Sequence, residues 1–199
     1  MTKEKDENLI PEIIKGPSLG YTDNFPKREM WKEIANEFGG EFTIKNDIGH
    51  VLEIHNISIP YKKWEIKISV SDSRPLKFLI SFASGLDFEL SLSWEDFIEK
   101  IIKRFSKAEI ELGWKEFDHR YLIKSNRPDL VKKAITKEIQ NTLLKHNVYS
   151  ILYQTDNVAR TAELISVIQR GAGEKDMVIE LIDMYRMLID NFEKLGIVK

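Results

Sequence analysis

WEIKISVSDSRPLKFLISFASGLDFELSLSW, running from Trp64 to Trp94, decides the fold. Apolar residues take every second position in three successive runs: Trp64, Ile66, Ile68 and Val70; Leu76, Phe78, Ile80 and Phe82; Leu86, Phe88, Leu90, Leu92 and Trp94. Polar residues alternate with them in the first and last runs, Glu65, Lys67 and Ser69, then Asp87, Glu89, Ser91 and Ser93. A period of two belongs to a strand with one apolar face and one wet face. Ser71 to Pro75 and Ser84-Gly85 are connections too short for a parallel crossover, so the three runs predict an antiparallel meander.

The same pattern extends N-terminally. Phe42 and Ile44 alternate with polar neighbours, and a further strand is expected from Val51 to Ile59, interrupted at Pro60. Before these, Lys27 to Phe38 reads as a helix, with Met30, Trp31, Ile34 and Phe38 at helical spacing and Gly39-Gly40 as its stop. Residues 1–26, punctuated by Pro11, Gly16, Pro17, Gly20 and Pro26, are expected to form a flexible arm ahead of a single domain over residues 27–199.

Downstream, Ser93 is placed to cap a helix from Glu95 to Phe105. Short strands are expected near Glu109–Leu112 and His119–Lys124, then one helix from Arg127 to His146 started by Ser125-Asn126-Arg127-Pro128. Val148–Gln154 and Thr161–Gln169 read as a hairpin, and Gly171-Ala172-Gly173 precedes a last helix from Glu174 to Leu195. The order defines an α+β chain: an antiparallel sheet with helices mainly on one face and a long C-terminal helix.

That last helix carries Val178, Leu181, Tyr185, Leu188, Phe192 and Leu195 at spacings of three and four, flanked by Met177, Met184, Ile182 and Ile189. The apolar stripe is wider than one buried face requires. It fits a terminal helix sunk in its own domain, or a helix contacted on two sides with a homodimer or protein partner at Tyr185, Leu188 and Phe192.

Composition narrows the chemistry. With 30 Lys+Arg against 32 Asp+Glu and a net charge of −2, the whole surface is not built for nucleic acid. The locally basic helix with Lys132, Lys133, Lys137 and Lys145 reads as a solvated face. The absence of Cys excludes disulfides, thiolate zinc sites, iron–sulfur clusters and a Cys nucleophile. His50, His55, His119 and His146 match no metal-ligand spacing and read as surface histidines, so neither metal nor cofactor is expected. The first residues, MTKEKDENLIPEIIKGPS, lack the apolar core of a signal peptide, and no apolar run reaches a membrane span. A cytoplasmic location is expected.

Two constellations stand out. Glu65-Ile66-Lys67 has the acidic-x-Lys form that metal-dependent nucleases place on a strand. Asp47 or Glu53 one strand earlier, with Glu33 or Glu37 on the preceding helix, would complete it. Paired carboxylates would hold Mg²⁺ while Lys67 oriented water. Ordinary charge alternation on a wet strand face accounts for the same residues.

The second is LGWKEFDHRYLIK at Leu112–Lys124, where Trp114, Phe117 and Tyr121 interleave with Glu116, Asp118, His119 and Arg120. Aromatics mixed with charges mark protein-contact surfaces. The leading expectation is therefore a non-catalytic protein-binding or adaptor domain acting through Trp114, Asp118, His119, Arg120 and Tyr121. The alternatives are a metal-dependent nuclease using Asp47, Glu65 and Lys67, and a small inhibitor or immunity-type protein.

WKEIANEFGGEF at Trp31–Phe42 and EFDHRYLIKSNRPDLVKKAI at Glu116–Ile135 resemble stretches in a loosely defined group of bacterial proteins without assigned function. The resemblance implies a single α+β domain and a bacterial source, and it transfers no catalytic residue.

Overall fold

In a computed structural model the described residues are 25–46, 53–71, 74–94, 109–168 and 174–199. The arm expected over residues 1–26 lies almost wholly outside them, as do the helix expected over Glu95–Phe105, the Gly171–Gly173 break, Asp47 and His50.

The chain opens with α1 (Phe25–Glu37), then β1 (Glu41–Asn46), β2 (Glu53–Tyr61), β3 (Trp64–Ser71), β4 (Arg74–Ala83) and β5 (Leu90–Trp94). It continues through α2 (Lys115–Arg120), β6 (Tyr121–Ser125), α3 (Pro128–Ala134), α4 (Lys137–Lys145), β7 (Val148–Asp156), β8 (Thr161–Ile168) and α5 (Lys175–Lys194). All strands among the described residues join one antiparallel sheet of eight in the order β1-β2-β3-β4-β8-β7-β5-β6. The α+β class stands as the element order predicts, and the long terminal helix as the spacing of Val178 to Leu195 predicts.

The meander covers the first four strands, and the β7–β8 hairpin then inserts between β4 and β5. The alternation at Leu86 and Phe88 does not continue the sheet, because strand β5 begins only at Leu90. Residues 84–86 are drawn away by the C-terminus: the Gly85 and Leu86 N–H groups both donate to the Ile197 carbonyl, at 2.9 and 3.3 Å. Phe88 is paired by a side chain, its carbonyl accepting from the Thr155 hydroxyl at 2.7 Å. Strand β5 has no wet face, since Leu90, Ser91, Leu92 and Ser93 are all buried. Serine on a face expected to be solvated is equally compatible with a crowded sheet centre.

Pro60 does not interrupt β2; it stands opposite Glu65 in the β2–β3 register. Pairing with β1 ends at Ser58, so at Pro60 the strand is an edge on that side and no partner asks for the missing N–H. The helix expected over Arg127–His146 is two. Thr136 is extended (φ −65°, ψ 165°), and its side chain caps α4 by accepting from the Ile139 N–H at 3.5 Å. The strand expected at His119–Lys124 starts at Tyr121, because residues 115–120 close into α2. Residues 109–112 are not a strand, although the Ile110 N–H donates to the Ile123 carbonyl at 2.9 Å.

Helix α5 lies across the apolar face of the sheet. Val178, Leu181, Ile182, Met184, Tyr185, Leu188, Ile189 and Phe192 are buried. Tyr185 packs on Phe78 of β4 at 4.5 Å between ring centroids, and Phe192 on Phe88 and Tyr153 at 5.7 and 5.2 Å. Its width is explained within the chain, since α1, α3 and α4 all contact its flanks while the sheet takes its base. Burial of this stripe is the main source of stability for the helix. A polar chain crosses the interface: the Tyr185 hydroxyl donates to Ser166 of β8, whose hydroxyl donates to the Ser150 carbonyl at 2.8 Å.

Candidate protein-contact surface

The sheet ends in β6, and α2 leads directly into it. Asp118 shapes the approach, its carboxylate accepting from the Leu112 and Gly113 N–H groups, both at 2.8 Å. Gly113 has φ 89°, where a side chain would be strained, so this tight loop needs glycine. Phe117 and Tyr121 turn inward with ring centroids 4.7 Å apart. The Tyr121 hydroxyl bridges the carbonyls of Leu143 at 2.9 Å and Val148 at 2.8 Å, and burial pushes its pKa up to about 12. Tyr121 thus ties α4 and β7 to the sheet edge and is not presented to solvent.

The outward residues form a different group. Arg120 and His119 are exposed, while Trp114 and Asp118 are half-buried. The Arg120 guanidinium lies 3.8 Å over the Trp94 ring, and Trp94 meets Tyr149 edge-on at 4.5 Å. A cation held on an indole face is worth about 0.5–1 kcal/mol at an exposed site. Arg120 also donates to the Asn147 side-chain oxygen at 3.4 Å. The Lys137 ammonium lies over the Trp114 ring; desolvation lowers its pKa, opposed by Glu116 and Asp118.

Trp94 and Tyr149 escape a reading of the sequence because both look like ordinary strand residues. Only the β5–β7 register, with Ser93 opposite Ser150, sets them side by side. The hint that was present is Arg120 itself, a cation within a stretch that also carries Trp114, Phe117 and Tyr121. Tyr185, Leu188 and Phe192, by contrast, are fully buried against the sheet of their own chain.

Of the described residues of the nuclease constellation, Glu65 and Lys67 pair with each other, while Glu33, Glu37 and Glu53 are taken by side chains outside it. Glu65 accepts from the Ser58 hydroxyl and pairs with Lys67 at 3.1 Å on the exposed sheet face, which holds its carboxyl below the usual range. Glu53 is clamped by Arg28, whose Nε donates at 2.9 Å, and contacts His55 at 3.2 Å. Glu33 and Glu37 share Lys175 at 3.2 and 3.5 Å. Among the described residues no three His, Cys, Asp or Glu side chains gather as a metal site. Two of the histidines expected at the surface are structural: His55 is buried beside Glu53, and His146 contacts Glu180 at 2.8 Å.

No family model and no curated protein matches the chain. Among solved structures it is similar to the crystal structure of the mycobacterial trehalose monomycolate transport factor A, TtfA, with a TM-score of 0.56. The match has 9% sequence identity and covers 84% of this chain and 95% of that one. At that identity the likeness is one of fold. Among the described residues no helix is long and apolar enough to cross a membrane.

Proposed function

We propose that this protein is a non-catalytic binding domain that works through protein contacts at the surface built on Trp94, Arg120 and Tyr149. The observation that carries the reading is the exposed Arg120 guanidinium stacked on Trp94, with Tyr149 fixing the indole from the side. Arginine and tryptophan dominate the energetics of protein interfaces because both combine a large flat contact with directional donors. Stacking holds the guanidinium in place before binding, so less side-chain entropy is lost when a partner carboxylate meets its free N–H groups. His119, adjacent to Arg120 in the chain, is also exposed. The fold neighbour is named as a transport factor, and a factor's role rather than a reaction is consistent with this reading.

Affinity capture from source-cell extract, with quantitative mass spectrometry, tests it. A specific protein should be enriched by the wild type and reduced about thirtyfold or more by Arg120→Glu, the loss expected for a hot-spot residue. Lys132→Glu, an exposed change on α3, should retain it. If no protein is enriched, or if Arg120→Glu keeps every one, the reading fails.

A further inference from the structure

The two edges of the sheet are treated differently. On the β6 side, the Ile110 N–H bonds to the Ile123 carbonyl, so residues 109–112 guard part of that edge. On the β1 side, no strand follows Glu41–Asn46 among the described residues. No described residue pairs with its far side, where a row of backbone donors and acceptors is a template for another strand. Edges of this kind are commonly blunted by charge, and β1 carries two charges, Glu41 and Lys45. Their placement is specific. Neither has an ion-pair partner in its own chain among the described residues, and both are exposed. Ile44, 39% exposed, is one of only two large apolar side chains in the described residues that stay open to solvent.

The sequence of the edge reads Glu41-Phe42-Thr43-Ile44-Lys45. Set antiparallel against itself about Thr43, Glu41 falls opposite Lys45 of the other copy, Phe42 opposite Ile44, and Thr43 opposite itself. Opposed residues in an antiparallel ladder share a face. The β1–β2 register fixes those faces: Phe42 and Ile44 stand beside Ile57 and His55, which are buried, whereas Thr43 lies beside half-buried Asn56. Self-pairing therefore forms two Glu–Lys pairs on the outer face and two Phe–Ile pairs on the helix-covered face. A two-fold axis makes such an interface isologous and closed, ending growth at two copies.

We propose that β1 is a homodimerisation edge, joining two copies into one continuous antiparallel sheet through the Glu41–Lys45 segment. The occupant is a second copy of this chain, chosen because the charge pattern is complementary to itself. Neither helix α5 nor the Arg120 surface takes part, and each dimer would carry two copies of that surface at its far ends.

Sedimentation equilibrium of the full chain, from micromolar to millimolar concentration at low salt, tests the proposal. The wild type should form a dimer. Lys45→Glu places like charges opposite each other twice and should weaken association about tenfold or more, each opposed pair contributing on both sides of the axis. Glu41→Lys with Lys45→Glu recreates the complementarity with reversed signs and should restore the dimer. Thr43→Lys, which sets two cations together at the axis, should weaken it independently. Circular dichroism confirms the fold of each variant, and one that unfolds is replaced by the other. A wild type that stays monomeric throughout, or a dimer whose affinity ignores both Lys45→Glu and Thr43→Lys, overturns the proposal.

Discussion

Replacing Phe192 by Ala separates a core helix from an interface helix. The ring has 0% exposure and lies edge-on to Phe88 and Tyr153, at interplanar angles of 72° and 80°. Removing it loses the transfer free energy of the ring and leaves a cavity between Phe88, Tyr153 of β7 and the helix that a rigid sheet fills poorly. Deletions of this kind cost about 3–5 kcal/mol. Against a total stability of about 5–15 kcal/mol, that is a large share. For a chain of this length each kcal/mol moves Tm by about 2–4 °C, so the midpoint should fall by roughly 6–20 °C. Phe192→Leu keeps most of the volume and should cost less than about 1.5 kcal/mol. Urea unfolding followed by circular dichroism gives both values, and light scattering gives the mass. If Phe192→Ala lost less than about 1 kcal/mol while changing the oligomeric mass, the helix would be an interface and the packing argument would be wrong.

Three further outcomes follow from the same structure. Ser166→Ala strands the fully buried Tyr185 hydroxyl and should cost about 1–3 kcal/mol, against about 0.5–1.5 for Tyr185→Phe; chemical denaturation of both and of the double variant should show the double costing less than the sum. Gly85→Ala places a Cβ 2.3 Å from the Gly196 carbonyl oxygen and should cost about 1–3 kcal/mol, read as a lower Tm together with faster amide exchange at Gly85 and Leu86. Glu53 has its pKa lowered, first by the Arg28 hydrogen bond. The stability this contributes is present above the ordinary carboxyl value of 4.5 and is lost as pH falls from there through the lower folded-state value, so Glu53→Gln should flatten the acid limb of a Tm-against-pH curve. An unchanged acid limb would show that the Arg28 clamp is not felt in solution.

Much of the architecture was legible because it is local. A period of two from Trp64 to Trp94 reports a half-buried strand wherever the strand ends up, and the stripe from Val178 to Leu195 reports a buried helix face. The expectation failed where a residue's surroundings come from far along the chain. Leu86 and Phe88 alternate correctly, yet their backbone partners are Ile197 and Thr155. Pro60 looks like an interruption until the pairing of β2 with β1 is seen to end at Ser58. Thr136 does break a helix that the spacing of Leu130 to Leu143 joins, because capping the following turn competes with continuing the first.

The candidate surface divides the same way. By itself the sequence determined that Trp114 to Tyr121 mixes aromatics with charges, that Cys chemistry is absent and that the chain is α+β. Tertiary structure alone decided which of those side chains face out: Tyr121 turns in to the carbonyls of Leu143 and Val148, while Arg120 turns out onto a tryptophan 26 residues earlier. It also decided that the width of the last helix is used up by its own chain and that, among the described residues, β1 is left at an edge. The physical reason is that periodicity encodes which face of an element is apolar. What covers that face, and what stands beside an edge, is set by strand order and register, and these come from contacts between residues far apart in the chain.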